Sequence, residues 1–393
     1  MDKINVINII SDLHTPAFIY DENIILKKLG ILSNLREESR LKILFPLKTF
    51  SLTNALYLIA SIVNGFSASS LFEAKLARDI LTQGKTVHIT TPAFRNDEIR
   101  DISFLCDYIS FNSLSQVKKF YYQVVEQANC GIRINTQLSF IKDDRYNPCR
   151  KHSKLGVSLD ELRELWKNNK KFFKKIGGIL FHTNCESENI NQLLETIKHI
   201  DKTLPEFFAK INWVNLGGGY LFNSKKDLAP LKEAVNFLKS KYDVEVFFEP
   251  GKGVVGEACC IASSVVDIFN SDGKDIAVLD TSVNHMPEVF EYQVRPEIAQ
   301  ESTGGKYKYI LAGATCLAGD VFGEYQFARP LAVGSKIIFK TMGAYTLVKA
   351  HMFNGVNLPA IYAYTQKEKL ELEKQFEYED FLIKCGGDKY ATL

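Results

Sequence analysis

The chain has 393 residues, of which 46% are hydrophobic, and this length and composition indicate a globular protein of two domains. Its 48 basic and 46 acidic residues nearly balance, which excludes a general attraction to nucleic acid or to a membrane surface. No stretch is apolar enough for a signal peptide or a membrane span, and the cysteines form no CxxC pair; we expect a cytoplasmic protein with free thiols and no metal site.

Short apolar runs alternate with longer amphipathic stretches from about Asp21 to Gly251. The predicted strands lie at 41–48, 86–90, 108–112, 130–135, 176–184, 212–219 and 244–251, and the predicted helices lie at 53–63, 95–105, 113–127, 189–202 and 230–242. A polar loop is predicted from 136 to about Ser153. Strands that alternate with helices over about 230 residues favour a closed (β/α)8 barrel, a TIM-like fold of the α/β class.

The sequence pattern changes after Gly253. Strand-like runs joined by turns lie at 259–269, 275–283, 307–314, 335–348 and 359–365. They predict a mostly antiparallel β-domain, and the short run "INVIN" at 4–8 is a candidate to pair with it. The last segment, 368–384, is predicted to be a charged amphipathic helix or tail. The expected domains are therefore a barrel at 22–253 and a discontinuous β-domain at 1–21 and 254–393.

Active sites of such barrels lie at the C-terminal ends of the strands. The predicted strand ends carry Lys48, Arg133, His182, Gly217–Gly219 and Glu249. Each alone has an ordinary structural interpretation, such as a solvated lysine, a tight turn or a buried histidine with its bonds satisfied. Together they match a pyridoxal phosphate (PLP) site, in which a lysine binds the aldehyde, a glycine turn binds the phosphate and a buried acid faces the ring nitrogen.

Several motifs resemble those of the fold-type III PLP-dependent decarboxylases, which combine an alanine-racemase-like barrel with a C-terminal β-domain. The similar segments are "TPAFIYD" (15–21), "PLKTFS" (46–51), "GFSASSLFEAKLA" (65–77), "FHTNCE" (181–186), "LGGGY" (216–220), "FEPGKG" (248–253), "GATCLAGDVFGEYQF" (313–327), "GAYT" (343–346) and "FNG" (353–355). The resemblance runs nearly from end to end of the chain.

The resemblance implies a role for each site residue. The cofactor-binding residues would be Lys48, Glu73, Arg133, His182, Gly217, Gly218, Gly219, Glu249, Gly251 and Tyr345. Cys316, with Asp320, would enter the active site of a partner subunit and return a proton to the product, which implies a homodimer with shared sites. The substrate, a small molecule that is an L-amino acid with an extended, N-substituted side chain, would contact Lys154, Lys252, His285, Arg295 and Phe353.

Within that family the chain is most similar to the carboxynorspermidine decarboxylases, in segments such as "NSLSQVKKF" (112–120) and "HMPEVFEYQVRPEI" (285–298). One departure is Lys252, which stands where that subfamily usually has an acid; another is Tyr220, near a position where it usually has a histidine. Lys252 would favour an acidic substituent on the substrate, although it could equally contact the cofactor phosphate. The preferred substrate is therefore N-citryl-ornithine, in polycarboxylate siderophore biosynthesis. The alternative is carboxynorspermidine or carboxyspermidine, in polyamine biosynthesis.

Two other classes are less compatible with the residues present. An amino-acid racemase shares the barrel but would need a tyrosine base where this chain has the Cys316 loop. A regulator that resembles a decarboxylase without catalysing the reaction should lack Lys48 or Cys316. Both residues are present, so the sequence predicts an enzyme.

Overall fold

The computed structural model describes residues 13–387, so the run at 4–8 lies outside the described residues. The chain divides into two compact units. One unit runs from Leu26 to Val254, and the other joins the segment that ends at Ile25 to the segment that begins at Val255. No helix between residues 13 and 387 is long and apolar enough to cross a membrane.

The first unit is a closed parallel barrel. The chain reaches it through strand β1 (Ala17–Asp21) and helix α1 (Glu22–Ser39). Its strands are β2 (Lys42–Pro46), β3 (Gly65–Ala68), β4 (Thr86–Thr90), β5 (Tyr108–Phe111), β6 (Asn129–Asn135), the short β7 (Val157–Ser158), β8 (Gly178–Phe181), β9 (Trp213–Asn215) and β10 (Glu245–Phe248). They pair in the order β5-β4-β3-β2-β10-β9-β8-β6, and pairing of β5 with β6 closes the ring. The predicted eight-stranded barrel is confirmed.

Helices cover the outside of the barrel. They are α2 (Thr53–Ile62), α3 (Leu71–Ile80), α4 (Ile99–Leu105), α5 (Leu114–Val124), α6 (Leu159–Asn168), α7 (Asn191–Thr203), α8 (Pro205–Phe208), α9 (Ala229–Tyr242) and α10 (Lys252–Val255). Ser70, Ser113 and Ser158 cap α3, α5 and α6 by accepting a backbone N–H from the first turn. Helix α4 is shorter than predicted: residues 96–98 form a turn before it, and Arg95 forms ion pairs with Asp97 and Glu98 there.

Aromatic rings fill the barrel at the N-terminal ends of its strands. His88 stacks on Tyr108 at 4.1 Å and lies 4.3 Å from the ring of Phe247. Trp213 packs edge-on against Tyr108 at 5.3 Å. Gly178 is required beside Trp213, because a Cβ atom there would lie 2.0 Å from the indole. This packing closes the end of the barrel from which the strands start and leaves the opposite end for chemistry.

The second unit is a mostly antiparallel sheet. Besides β1 it contains β11 (Cys259–Ser271), β12 (Lys274–Leu279), β13 (Tyr307–Ala312), β14 (Val321–Phe327), β15 (Lys336–Lys340), β16 (Ala360–Tyr364) and β17 (Leu370–Lys374), with helices α11 (Glu288–Tyr292) and α12 (Tyr378–Lys384). The order is β14-β13-β12-β11-β1-β16-β17, with β15 paired to β11. Among the described strands of this sheet, only the β1–β16 and β12–β13 pairs are parallel. The predicted mostly antiparallel β-domain is confirmed. The N-terminal strand seen in it is β1, whereas pairing of the run at 4–8 stays a prediction.

Two predicted elements of this unit are wrong in part. The run at 335–348 forms a strand only as far as Lys340, because Thr341 and Tyr345 adopt positive φ angles of 61° and 60°. The segment at 368–384 is not one helix. Its first part alternates apolar and charged residues and pairs as β17 with β16, and only its second part forms α12.

Candidate active site

Lys48 lies in a single 3-10 turn, Leu47–Thr49, directly after β2. Strand β2 is fixed on both sides, by β3 and by β10. Leu47 and Thr49 are buried at 0% and 1% exposure, whereas the Lys48 side chain is accessible from the cavity at the barrel mouth. The barrel wall therefore holds the backbone of the turn, and the amine alone projects from the C-terminal end of the strand.

The Lys48 side chain opens into a cavity of about 500 Å³. Its lining comes from strand ends and from the predicted polar loop: Lys48, Ser69, Thr90, Pro92, Arg133, Asp144, Arg145, Tyr146, Asn147, Pro148, Arg150, Ser153, Lys154, Leu155 and His182. The cavity thus brings together four predicted site residues, Lys48, Arg133, Lys154 and His182. Five of its lining residues are lysine or arginine and one is an aspartate, so the lining is cationic.

The surroundings of Lys48 favour the neutral amine. Burial among protein atoms at the barrel mouth lowers the pKa of Lys48, and the positive charge of Arg133 lowers it further. Glu249 and Glu73 act in the opposite direction, but the pKa stays below its ordinary value. A neutral amine is the nucleophile that attacks an aldehyde, so this environment suits covalent attachment of a carbonyl compound.

His182 follows β8 and is held by the glycine turn. Its Nδ1 atom accepts a hydrogen bond from the Gly218 N–H at 3.1 Å. Burial lowers the pKa of His182 well below its usual value, and the charges of Lys48 and Arg133 add to this effect. The ring is therefore neutral, with its proton on Nε2, and could stack on a flat cofactor without adding a charge.

The glycine turn is shaped by close packing as much as by its N–H groups. A Cβ atom on Gly218 would lie 2.0 Å from the Glu249 carbonyl oxygen. The N–H groups of Gly217 and Gly218 donate to Asn215 and His182, at 2.9 and 3.1 Å. Among the described residues only the Gly219 N–H of this turn lacks a partner, so a phosphate would find one free donor here rather than three.

Glu249 is 7% exposed at the end of β10. Its Oε1 atom accepts a hydrogen bond from Asn215 Nδ2 at 2.7 Å, and no described residue hydrogen-bonds to Oε2. Asn215 is absent from the predicted site residues. In the sequence it is marked only by an amide side chain near a predicted strand end, two residues before Gly217.

Glu73 and Gly251 lie close to the lysine turn. Glu73 in the first turn of α3 accepts the Ser69 N–H at 2.6 Å, and burial raises its pKa. A Cβ atom on Gly251 would lie 2.5 Å from Thr49 Oγ1, so only glycine permits this approach. The turn after Glu249 and the turn of Lys48 are thus packed directly against each other.

Lys252 does not line the cavity of Lys48. Its ammonium group pairs with Glu186 Oε1 at 2.6 Å, with about a quarter of the Lys252 side chain exposed (24%). Lys154 does line the cavity, and its carbonyl oxygen accepts a hydrogen bond from Asn112 Nδ2 at 2.8 Å. The positive charge that suggested an acidic substrate is therefore already balanced by a carboxylate of the same chain.

The Cys316 loop belongs to the second unit and is held by Asp320. Cys316 is exposed, and its N–H donates to Asn354 Oδ1 at 3.0 Å. Asp320 is 3% exposed; its Oδ1 atom accepts the Val283 N–H at 2.8 Å, and its Oδ2 atom accepts the Thr315 N–H at 3.1 Å. Both carboxylate oxygens therefore stabilise the loop, and the thiol is the group left accessible.

Of the remaining predicted residues of this unit, His285 and Arg295 have partners of their own. His285 is 1% exposed and lies 3.0 Å from Thr281 Oγ1, and burial lowers the pKa of His285 to about 4. Arg295 pairs with Glu301 and stacks 3.8 Å above the ring of Tyr325. Phe353 is 40% exposed. The roles of these three residues and of Tyr345 stay predictions.

The barrel residues fit PLP. Lys48 offers an amine whose pKa is lowered by burial, and Glu249 offers a carboxylate oxygen without a partner among the described residues. Arg133 lines the same cavity, and no ion pair joins it to a residue in 13–387. PLP has a matching group for each: an aldehyde for Lys48, a protonated ring nitrogen for Glu249 and an anionic group for Arg133.

Comparisons with known proteins agree with this chemistry. The family model "Pyridoxal-dependent decarboxylase, pyridoxal binding domain" matches residues 25–256. The carboxynorspermidine/carboxyspermidine decarboxylase of Campylobacter jejuni is 33% identical to this chain. The match covers 95% of this chain and 98% of that relative. The carboxyaminopropylagmatine decarboxylase of Synechocystis is 35% identical to this chain, and the match covers 96% of this chain and 97% of that relative.

A solved structure shows the same fold. The crystal structure of carboxynorspermidine decarboxylase from Campylobacter jejuni, complexed with norspermidine, matches with a TM-score of 0.83 and 32% identity. The match covers 95% of this chain and 100% of that one. Diaminopimelate decarboxylase from Helicobacter pylori has the same TM-score of 0.83 at 18% identity, which shows the fold alone. Fold, site and relatives agree: the chain belongs to the pyridoxal-dependent decarboxylase family and is a PLP-dependent decarboxylase.

Proposed function

We propose that the protein removes the α-carboxylate of an amino acid whose side chain continues through a secondary amine to a cationic end. Carboxynorspermidine, carboxyspermidine and carboxyaminopropylagmatine are substrates of this kind. The observation that carries the proposal is similarity to relatives named for these substrates over 94–96% of the chain. The Lys252–Glu186 ion pair also supports it, because the acidic substrate preferred in the sequence analysis depended on an uncompensated Lys252.

Bound PLP supplies an electron sink for the pair that decarboxylation leaves on the substrate. Lys48 holds the cofactor aldehyde through its amine, and the neutral ring of His182 packs on the cofactor ring. Glu249 accepts a hydrogen bond from the ring nitrogen and so favours its protonated form. The cationic Arg133 balances negative charge inside the barrel mouth.

The Cys316 thiol donates a proton to the carbon that has lost its carboxylate. Cys316 is exposed, whereas the Asp320 carboxylate is buried and occupied by backbone donors, so the thiol is the better candidate for proton transfer. In this proposal the thiol acts in the barrel of a partner subunit, and the enzyme is a homodimer. Asp320 acts by holding the loop.

N-citryl-ornithine is the second candidate substrate. The observation that favours it is the cationic lining of the Lys48 cavity, to which Arg145, Arg150 and Lys154 contribute. A citryl group would pair with such a lining, whereas a polyamine end would be repelled by it. Arg145 itself pairs with Asp143 at 2.7 Å, which reduces this effect.

A carbon-dioxide release assay with both substrate classes tests the proposal. The PLP-loaded enzyme would be given carboxynorspermidine, carboxyspermidine, carboxyaminopropylagmatine, N-citryl-ornithine and ornithine at equal concentrations. We expect kcat/KM for one of the first three to exceed that for N-citryl-ornithine and ornithine by at least about tenfold, which is about 1.4 kcal/mol of discrimination. Turnover of N-citryl-ornithine alone would replace the proposal with its second candidate.

A further inference from the structure

Asn215 ends β9 and lies between the glycine turn and Glu249. Its side chain is completely buried, at 0% exposure. Its Oδ1 atom accepts a hydrogen bond from the Gly217 N–H at 2.9 Å, and its Nδ2 atom donates one to Glu249 Oε1 at 2.7 Å. One amide group therefore joins two elements that are expected to hold the cofactor.

The chemistry of these contacts fixes the orientation of the amide. The Gly217 N–H can only donate, so the Asn215 oxygen must face it and the NH2 group must face Glu249. The Asn215 donor occupies one of the lone pairs of Glu249 Oε1. Oε2 has no hydrogen-bond partner between residues 13 and 387, so both of its lone pairs are open to another donor.

We propose that Asn215 is a positioning residue that orients the Glu249 side chain and leaves Oε2 as the acceptor for the ring nitrogen of PLP. A buried carboxylate needs a compensating donor, and a neutral amide supplies one without cancelling the charge that the ring nitrogen requires. The inference rests on the proposed role of Glu249 as the partner of that nitrogen.

The variant Asn215→Asp tests this inference with almost no change in shape. One aspartate oxygen can still accept the Gly217 N–H, but the other faces Glu249, and two carboxylates at this distance share one proton. At low pH the shared proton restores the hydrogen bond, and at high pH its loss leaves two repelling charges. We expect cofactor affinity and kcat within about threefold of the wild type at pH 6 and at least about tenfold lower at pH 9.

Cofactor affinity is measured by absorbance titration of the stripped full-length protein with PLP from pH 6 to pH 9. A second measurement is chemical unfolding of the same protein without cofactor. The shared proton has a raised pKa in the folded variant, so its contribution to stability is present at low pH and disappears as the pH rises. The loss of unfolding free energy relative to the wild type should therefore grow from pH 6 to pH 9.

Two further variants separate the possible failures. Asn215→Ala removes both hydrogen bonds and should lower cofactor affinity at every pH, with no added loss at high pH. Glu249→Gln tests the proposed role of Glu249 itself. If Glu249→Gln weakens cofactor binding but Asn215→Asp matches the wild type, or is impaired equally at pH 6 and pH 9, the inference about Asn215 is overturned. If Glu249→Gln changes neither cofactor affinity nor kcat, the proposed role of Glu249 is overturned instead.

Discussion

Lys48 owes its environment to residues that are distant in the sequence. Arg133 on β6, Glu73 on α3 and Glu249 after β10 all act on its pKa. Lys48, His182 and Glu249 were predictable, because a polar residue directly after a buried strand is conspicuous. Asn215 was not, since its importance depends on the pairing of Asn215 with Phe247, which brings it beside the end of β10.

His88 is a second residue whose charge state is set by the fold. It is 3% exposed inside the aromatic end of the barrel, and burial, with a contribution from Lys42, lowers its pKa well below the usual value. Below about pH 6.5 the unfolded chain binds a proton that the folded protein rejects. Stability from this group is therefore complete above that pH and is lost as the pH falls.

The variant His88→Phe should remove this sensitivity to acid, because a phenyl ring suits the same aromatic contacts and carries no proton. Relative to the wild type, we expect the variant to gain up to about 1.4 kcal/mol of unfolding free energy for each pH unit below pH 6.5. Urea unfolding at pH 5, 6, 7 and 8 measures the difference. His14→Phe, at an exposed position, is the control. A pH-independent difference between His88→Phe and the wild type would contradict the prediction.

At the scale of elements, apolar runs predicted the barrel strands better than the strands of the sheet. Strands β4 and β5 lie within a residue of their predicted bounds, because both faces of a barrel strand are buried. Strand β14 was missed because its sequence, "VFGEYQF", was interpreted only as part of the Cys316 loop. Strand β17 was missed because its exposed glutamates favour a helix when neighbours are unknown.

The Cys316 loop depends on one carboxylate, so Asp320→Asn should release it. The amide keeps one acceptor oxygen, but its NH2 group would face a backbone N–H, at a cost of about 1–3 kcal/mol. In a Cys385→Ser background, which removes the other exposed thiol, we expect faster labelling of Cys316 by a thiol reagent and a lower kcat, with unchanged cofactor absorbance.

Asp275→Asn, on an exposed part of the same unit, is the matched control for the Asp320 variant. If kcat falls while the labelling rate of Cys316 stays that of the wild type, Asp320 acts in proton transfer itself. That result would contradict the assignment of Asp320 to holding the loop.

At the scale of the whole molecule, the two chemical groups of the proposed reaction lie in different units of the chain, Lys48 in the barrel and Cys316 in the sheet. If two subunits share their active sites, the activity of a mixture of two inactive variants can be predicted. Lys48→Ala and Cys316→Ala should each be inactive alone. After random exchange in an equal mixture, half of the dimers are mixed and each has one intact site, so activity should return to about a quarter of the wild type.

The Lys48→Ala/Cys316→Ala double variant, mixed with Lys48→Ala, is the control for residual activity and should stay inactive, because no subunit in it has Lys48. Size-exclusion chromatography with light scattering reports the mass of each mixture. An active wild-type monomer, or mixed dimers that recover no activity, would contradict the proposed sharing of sites.

The lysine turn, the glycine turn and the turn after Glu249 pack so closely that a single methyl group would not fit between them. Gly251 meets Thr49, and Gly218 meets the Glu249 carbonyl group. Directed evolution of this enzyme toward new substrates should therefore find few tolerated changes in these turns. Variation is better placed in the 144–155 loop, whose side chains reach the same cavity without belonging to that packed group.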